Sequence, residues 1–325
     1  MRVVVRSAWG LVWALSISLV LAATGEAGNN GEPLVLRGHK AIVYAVAYHP
    51  DGERIASADR NGFIRIWDAK KLTALVELDA HKGMINALAF SPDGTRLYSV
   101  GRDGTLRIWD TANLKANPKV VTAHKTEIHS LAVSPNGRRL ATGDYDGLVK
   151  LWDAQTGTEL ASIKAHASAV FGLAFFPDNT TLLSGGQDKF ARIWNSNTRK
   201  KLAELGGHTS DVTSVAVSKS GKYIATGCID RRIRIWKFPI GPEDEPMVLR
   251  GHKEDVCCVA FSPDEKKLAS ASDDRTVRIW DFEAAEEIEA FTGHGGQVWS
   301  VAWRPDGKAV VSGAGDALVR IWSVK

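Results

Sequence analysis

Four residue types that could support chemistry recur together along this chain: histidine, serine or threonine, aspartate and tryptophan. Each recurring His is followed 28 residues later by a Trp, with a hydroxyl residue ten positions and an acidic residue six positions before that Trp. Ser, His and Asp are the residue types of a nucleophilic hydrolase triad, and His with Asp is also a metal-ligand combination. The complete sets are His81, Ser99, Asp103 and Trp109; His124, Thr142, Asp146 and Trp152; His166, Ser184, Asp188 and Trp194; His208, Thr226, Asp230 and Trp236; His252, Ser270, Asp274 and Trp280; and His294, Ser312, Asp316 and Trp322. A first copy has His39, Ser57 and Trp67, with Asn61 at the acidic position.

Seven near-identical copies argue against catalysis, because a catalytic group needs one distinctive setting. Outside the repeat only His49 and His129 remain, and they lie too far apart in the sequence to indicate a metal site. Cys228, Cys257 and Cys258 fit no zinc or haem spacing. Buried thiols are the favoured interpretation of these cysteines, and one disulfide between Cys228 and the adjacent pair is the alternative. The sequence therefore predicts no catalytic residue, no metal and no cofactor.

The repeat has the length of a propeller blade. From one repeat His to the next the spacing is 42, 43, 42, 42, 44 and 42 residues, with Gly-His near one end and Trp-Asp near the other. Short apolar strands alternate with turns such as His49-Pro50-Asp51-Gly52. Over residues 32–325 the chain resembles the WD40-repeat family. The resemblance implies an all-β, seven-bladed β-propeller whose blades are four-stranded antiparallel sheets.

The same resemblance implies a structural role for the recurring polar residues. In that family the Asp bonds the His, the His bonds the Ser or Thr, and the hydroxyl bonds the Trp ring N–H. Such an arrangement pairs four buried polar groups at once. We expect the six complete sets to be hydrogen-bonded in this way. Asn61 lacks a charge, so the first blade is expected to be the least strongly tied.

An internal match predicts how the ring closes. Residues 32–39 read EPLVLRGH and residues 245–252 read EPMVLRGH, so seven of eight positions are identical. The second copy leads into the sixth repeat as an outer strand. Only three residues follow Trp322. We therefore expect the N-terminal strand to supply the outer strand of the last blade, which removes an exposed sheet edge.

Residues 1–23 do not belong to the repeat array. Two arginines precede an apolar run from Leu11 to Leu21, and small residues follow it, which is the pattern of a secretory signal peptide. An uncleaved membrane anchor is the alternative, although the run is short for a membrane span. We expect a signal peptide at 1–23, a linker at 24–31 and the propeller at 32–325, with repeats at 38–68, 80–110, 123–153, 165–195, 207–237, 251–281 and 293–323. The expected location is secreted or periplasmic, in a bacterial cell envelope.

The charge gives no reason to expect nucleic acid as a partner. The formal net charge is +4, and removal of residues 1–23 deletes two arginines and no acids, which leaves +2. Seven basic residues occupy the position two before each repeat Trp, one per blade, so they form no single stripe. We expect no nucleic acid and, after signal cleavage, no membrane span.

Function should depend on equivalent positions that differ between repeats. In the WD40-repeat family, positions three and five after the repeat His, together with the residue before the turn Asp, open onto the narrow top of the ring. The first set is Ile42, Met84, Glu127, Ala169, Asp211, Asp255 and Gln297. The second is Tyr44, Asn86, His129, Phe171, Thr213, Cys257 and Trp299. The third is Arg60, Arg102, Tyr145, Gln187, Ile229, Asp273 and Gly315.

Aromatic and arginine side chains among these sets have the composition of a binding hot spot. The predicted partner-binding residues are Ile42, Tyr44, Arg60, Met84, Arg102, His129, Tyr145, Phe171, Asp211, Asp255 and Trp299. We predict a scaffold that binds a protein or peptide through the top face, as a monomeric ring within a larger assembly. Two alternatives remain open: side chains that merely fill the channel, and a small-molecule-binding, sugar-binding or hydrolytic propeller with a central-channel site.

Overall fold

The strands form a ring of seven separate sheets. The computed structural model describes residues 32–241 and 244–325. Their 28 strands form seven four-stranded antiparallel sheets. This confirms the predicted seven-bladed β-propeller. The predicted signal peptide and linker, residues 1–31, lie outside the described residues.

The strand order is the same in every blade, and only the last blade takes a strand from elsewhere in the chain. From the channel outward, the strands are β2 (Val43–Tyr48), β3 (Arg54–Asp59), β4 (Phe63–Asp68) and β5 (Thr73–Asp79) in blade one; β6 (Ile85–Phe90), β7 (Arg96–Gly101), β8 (Thr105–Asp110) and β9 (Lys119–Thr122) in blade two; β10 (Ile128–Val133), β11 (Arg139–Asp144), β12 (Leu148–Asp153) and β13 (Glu159–Lys164) in blade three; β14 (Val170–Phe175), β15 (Thr181–Gly186), β16 (Ala191–Asn195) and β17 (Lys200–Leu205) in blade four; β18 (Val212–Val217), β19 (Tyr223–Cys228), β20 (Arg232–Lys237) and β21 (Met247–Arg250) in blade five; β22 (Val256–Phe261), β23 (Leu268–Ser272), β24 (Val277–Asp281) and β25 (Glu286–Phe291) in blade six; and β26 (Val298–Trp303), β27 (Ala309–Ala314), β28 (Leu318–Ser323) and β1 (Leu34–Arg37) in blade seven.

Burial within a blade follows the position of the strand. The second strand of each blade is buried almost throughout, as in β3, where only Arg54 is partly exposed. Its small and β-branched side chains lie between neighbours on both faces, which suits a central strand. The outer strands are mostly exposed and rich in charge, as in β17 and β25. Charged side chains on an edge strand discourage pairing with another chain.

The hydrophobic core lies between blades rather than within them. Each buried apolar cluster combines side chains from two successive blades, and seven such clusters complete the circle. The cluster between blades seven and one contains Leu36, Val43, Trp67 and Ile321. Every blade therefore depends on both neighbours for burial, as expected of stacked repeats.

Strand β1 closes the ring, as the sequence predicts. It pairs antiparallel with β28, with Leu34 opposite Ile321 and Arg37 opposite Leu318. Across the same junction the Val46 backbone N–H donates to the Ser300 hydroxyl at 3.2 Å. Closure gives the last blade four strands like every other blade, so β28 is not left as an exposed edge.

Replacement of Leu36 by Ala should weaken the whole ring. Leu36 is 1% exposed and packs in the junction cluster. Loss of a buried leucine costs about 2–5 kcal/mol of unfolding free energy. Leu75→Ala is the matched control, because Leu75 is 50% exposed on β5, and it should cost about 0.5 kcal/mol or less. Urea unfolding measures both, and equal small losses would contradict closure by β1.

Candidate functional site at the top of the propeller

Three hydrogen bonds tie together four side chains in blade six. His252 Nδ1 lies 2.8 Å from Asp274 Oδ2, and His252 Nε2 lies 2.7 Å from Ser270 Oγ. The Trp280 ring N–H donates to the same Ser270 oxygen at 2.8 Å. Because the Ser270 oxygen accepts from Trp280, the Ser270 O–H can donate to His252 Nε2. His252 then carries its proton on Nδ1, and this N–H donates to Asp274. The Ser270 hydroxyl is buried and is bonded to both His252 and Trp280. Its role is therefore structural, because a substrate could not reach it as a nucleophile.

Blades two and four have the same three contacts, and in blade four the Arg192 guanidinium also lies 2.7 Å from His166 Nδ1. His81 contacts Asp103 at 3.0 Å and Ser99 at 2.7 Å, with the Trp109 ring N–H on Ser99 at 3.0 Å. The corresponding distances for His166, Asp188, Ser184 and Trp194 are 2.8, 2.7 and 2.9 Å.

Blades one and three use a different aspartate from the one the repeat spacing predicts. His39 Nδ1 contacts Asp59 at 2.8 Å, and His124 Nδ1 contacts Asp144 at 2.7 Å. Asp59 and Asp144 end the second strand of their blades and are buried, whereas Asn61 and Asp146 are exposed. The prediction of Asp146 as the partner of His124 was therefore wrong, and so was that of a weakly tied first blade. A signal was present in the sequence, since most other blades have a small residue, such as Gly101 or Ala314, at this position.

Blade five has the incomplete set. His208 Nε2 contacts Thr226 at 2.8 Å, but His208 Nδ1 and the Trp236 ring N–H are enclosed and have no partner among the described residues. Asp230 instead contacts Arg234 at 2.8 Å. Burial and the positive charge of Arg234 lower the pKa of His208 to about 4.

Blade seven also differs, because Arg320 lies closer to the histidine than the aspartate does. Its guanidinium lies 2.6 Å from His294 Nδ1 and 2.7 Å from Asp316, while Asp316 is 3.6 Å from that nitrogen. Arginine has only donors, so His294 accepts at Nδ1 and donates from Nε2 to Ser312, which lies at 2.7 Å. The Trp322 ring N–H also donates to Ser312, at 2.8 Å. Burial and Arg320 together lower the pKa of His294 to about 4.

The top face is the end of the ring at which the inner strands begin. In every blade the backbone N–H of the third-set residue donates to the carbonyl of the first-set residue. These bonds are Arg60 to Ile42, Arg102 to Met84, Tyr145 to Glu127, Gln187 to Ala169, Ile229 to Asp211, Asp273 to Asp255 and Gly315 to Gln297, at 2.8 to 3.1 Å. The structure therefore places the first and third sets side by side around the ring.

The second-set residues share a feature that the repeat spacing does not reveal. Each is the extra residue of a β-bulge at the start of an inner strand, such as Tyr44 between Val43 and Ala45. The other bulge residues are Asn86, His129, Phe171, Thr213, Cys257 and Trp299. A bulge interrupts strand pairing and redirects the side chain. All seven residues are half-buried.

Two aromatic groups lie on the top face. The rings of Tyr44 and Trp299 meet across the closing junction, 5.1 Å apart. On blades three and four, His129 lies 5.2 Å from the Phe171 ring and 5.9 Å from the Tyr145 ring. The Nε1 of Trp299 and the Nε2 of His129 are enclosed and have no partner within the described part of the chain.

The top face is also divided by charge. Burial raises the pKa of Asp211, Asp255 and Asp273, and the charge of Asp273 raises that of Asp255 further. By contrast, hydrogen bonds from His252 and Thr276 outweigh burial and lower the pKa of Asp274 in the buried set of blade six. Arg60 and Arg102 are exposed on blades one and two.

Glu127 connects the polar residues of blades two and three. It accepts from the Asn86 amide at 2.9 Å, and the Arg102 Nε lies 4.0 Å from its other oxygen. Not every top-face position offers contact surface, since Ala169 is fully buried. Ile42 and Met84 are half-buried.

The three cysteines are free thiols, which excludes the alternative of a disulfide in this structure. Burial raises the pKa of Cys228 to about 11 and raises that of Cys257 and Cys258. In residues 32–241 and 244–325, no three His, Cys, Asp or Glu side chains group in a way that could hold a metal ion. The same residues include no helix with the length and apolarity needed to cross a membrane.

Comparison with known proteins identifies the repeat type. The family model described as the IFT122 first beta-propeller matches residues 23–237, and the model of the WD domain, G-beta repeat, matches residues 244–281 and 285–323. A segment of 46 residues is 46% identical to the 66 kDa stress protein of Physarum polycephalum. That segment is 14% of this chain and spans only 8% of the Physarum protein.

Matched substitutions in blades three and five should differ in cost. Thr142 accepts from the Trp152 ring N–H and contacts His124, whereas among the described residues the Thr226 hydroxyl contacts His208 and no tryptophan. Thr142→Val leaves two buried groups unpaired and should cost about 2–4 kcal/mol of unfolding free energy. Thr226→Val should cost about 1–2 kcal/mol less, since Trp236 has no bond to lose. Chemical denaturation of both variants measures the difference, and equal costs would contradict the incomplete set.

Proposed function

Because this chain belongs to the WD40-repeat family of β-propellers, we propose that it is an exported, non-catalytic interaction module that binds a protein or peptide across its top face. WD40 propellers commonly serve as protein-interaction scaffolds and are generally non-catalytic. The proposal adds the location of the binding surface and the export of the chain.

The observation that carries the proposal is the contrast between the buried sets and the bulge positions. The buried sets keep one group of residue types around the ring, because each must pair the same buried polar atoms. The bulge positions instead hold Tyr, Asn, His, Phe, Thr, Cys and Trp in turn. Seven frames built from similar residues therefore present seven different side chains at one end of the channel. Such a surface can be specific for one partner without any change to the frame.

The chemistry of this surface favours a partner with an extended segment. Tyr44 and Trp299 form an amphipathic pair of rings, and residues of this type dominate binding energy at protein interfaces. Arg60 and Arg102 provide exposed donors beside the pair.

No observation favours the small-molecule or hydrolytic alternative over this one. In the buried sets, the serine and threonine hydroxyls contact His and, in six blades, Trp. They are fully buried, so a substrate has no access to them. The remaining histidine of the top face, His129, contacts rings and not a hydroxyl nucleophile.

Export is supported by the N-terminal sequence. The apolar run after two arginines is the part of a signal peptide that inserts into the export machinery. N-terminal sequencing of the chain recovered from its native host tests this part of the proposal. A mature terminus between residues 24 and 28 supports cleavage, and an intact Met1 would favour the anchor.

Affinity capture with the full chain tests binding by the top face. Tyr44→Ala with Trp299→Ala should weaken capture of the partner by about tenfold or more, because truncation of an aromatic hot spot costs at least about 2 kcal/mol. Leu75→Ala with Leu202→Ala is the matched control, since both leucines are exposed on outer strands. That control should capture the partner as the wild-type chain does.

Thermal unfolding must first show that both variants keep the fold. A partner lost by the outer-strand variant but kept by the Tyr44/Trp299 variant would move the binding site to the rim of the ring. That result would contradict the proposal.

A further inference from the structure

One sector of the top face combines aromatic rings with carboxylates that form no ion pair among the described residues. We call it the acidic–aromatic sector, and it consists of Asp255, Cys257 and Asp273 in blade six, Trp299 in blade seven and Tyr44 in blade one. These three blades are consecutive around the closed ring. The Asp273 N–H donates to the Asp255 carbonyl at 3.0 Å. The Cys257 thiol donates to Asp273 Oδ1 at 3.1 Å.

The two carboxylates of the sector have no cation of their own. Among the described residues, neither Asp255 nor Asp273 forms an ion pair with Lys, Arg or His. Arg231 lies close but pairs with Glu254 at 3.5 Å. The aspartates of the buried sets differ, because each of them contacts a histidine or an arginine. The sector therefore holds partly buried negative charge that the fold itself does not neutralise.

A second observation concerns the two aromatic rings at this surface. The ring centroids of Tyr44 and Trp299 lie 5.1 Å apart, and both side chains are half-buried. The exposed parts of these rings attract a positive charge.

We propose that the acidic–aromatic sector binds an arginine or lysine side chain of the partner. The cation then lies between the rings of Tyr44 and Trp299 and the carboxylates of Asp255 and Asp273. This inference rests on the proposed function, since it names the chemical class of the segment that the top face binds.

The charge of the neighbouring blades orients this segment. Asp211 continues the negative side into blade five, and Arg60 and Arg102 form a positive side on blades one and two. A bound segment therefore has its cation over blade six and its acidic or carbonyl-rich end over blades one and two. An acidic peptide without a cation would meet repulsion at Asp255 and Asp273.

The test uses a displayed library of short random peptides, panned on the immobilised full chain. The wild-type chain should enrich peptides that contain arginine or lysine. One enriched peptide is then synthesised together with an analogue that has Gln in place of its cationic residue. Binding of both peptides is measured by titration calorimetry at low and high salt, because a charge pair weakens as salt rises.

The decisive variant is Asp255→Asn with Asp273→Asn. It should bind the cationic peptide about tenfold more weakly, since the charge-assisted hydrogen bonds to the two carboxylates are lost. The Gln analogue should bind equally weakly to the variant and to the wild-type chain. Since burial and repulsion disfavour the ionised carboxylates, the variant should be at least as stable as the wild-type chain at pH 7.

A control variant separates the site from general electrostatic attraction. Asp79→Asn with Glu286→Gln also removes two negative charges, but from exposed positions on β5 and β25. It should bind the cationic peptide as the wild-type chain does. Equal weakening in both variants would overturn the inference.

Failure of the inference is distinguishable from failure of the proposed function. Enriched peptides without a cation, lost by Tyr44→Ala with Trp299→Ala but kept by the Asp255/Asp273 variant, would overturn the inference alone. Peptides that bind every top-face variant equally would overturn both, as would the absence of any enriched peptide.

Discussion

The structure depends on the rule that a polar group taken into the interior must find a partner there. In six of the seven blades a single hydroxyl oxygen meets both a histidine and a tryptophan ring nitrogen. That contact ties the loop before the inner strand to the third strand of the same blade. Because a lost partner would leave two groups unpaired, the residue types at these positions hardly vary. The residue type varies instead at the bulge positions, where the inner strands begin.

Closure of the ring brings variable residues from the first and last blades together. Each blade buries its apolar side chains against both neighbours, and β1 extends that relation to the junction of blades seven and one. Tyr44 and Trp299 come from opposite ends of the chain and meet only because of this closure. This aromatic contact of the top face is thus a consequence of the ring topology. The bulges then present one side chain per blade at the mouth of the channel.

Much of this arrangement could be predicted from the sequence. A fixed spacing of 28 residues between His and Trp identified the blades, and the repeated EP-VLRGH segment identified the closing strand. The bulges were not predictable, because all seven repeats contain one and the spacing stays constant. The aspartate exchange in blades one and three was missed because two candidate carboxylates or amides lie only two residues apart. Burial of Asp59 and Asp144 decides between them, and burial is a property of the folded blade.

The unpaired groups of the top face show where the buried frame ends and the binding surface begins. Asp255 and Asp273 are half-buried, burial raises the pKa of each, and neither forms an ion pair among the described residues. The unpaired ring nitrogen of Trp236 in blade five differs from them, because it lies in the interior of its blade. The incomplete buried set of blade five and the binding surface at the top face are therefore separate features of the ring.

The central claim is that a partner binds at the starts of the inner strands and not at the outer strands. Amide hydrogen exchange of the full chain, with and without a saturating arginine-containing peptide, tests this claim most directly. The account predicts slower exchange at the starts of β2, β22 and β26, with no change in the outer strands β5, β13 and β17. Protection confined to those outer strands, with the starts of the inner strands unchanged, would contradict it.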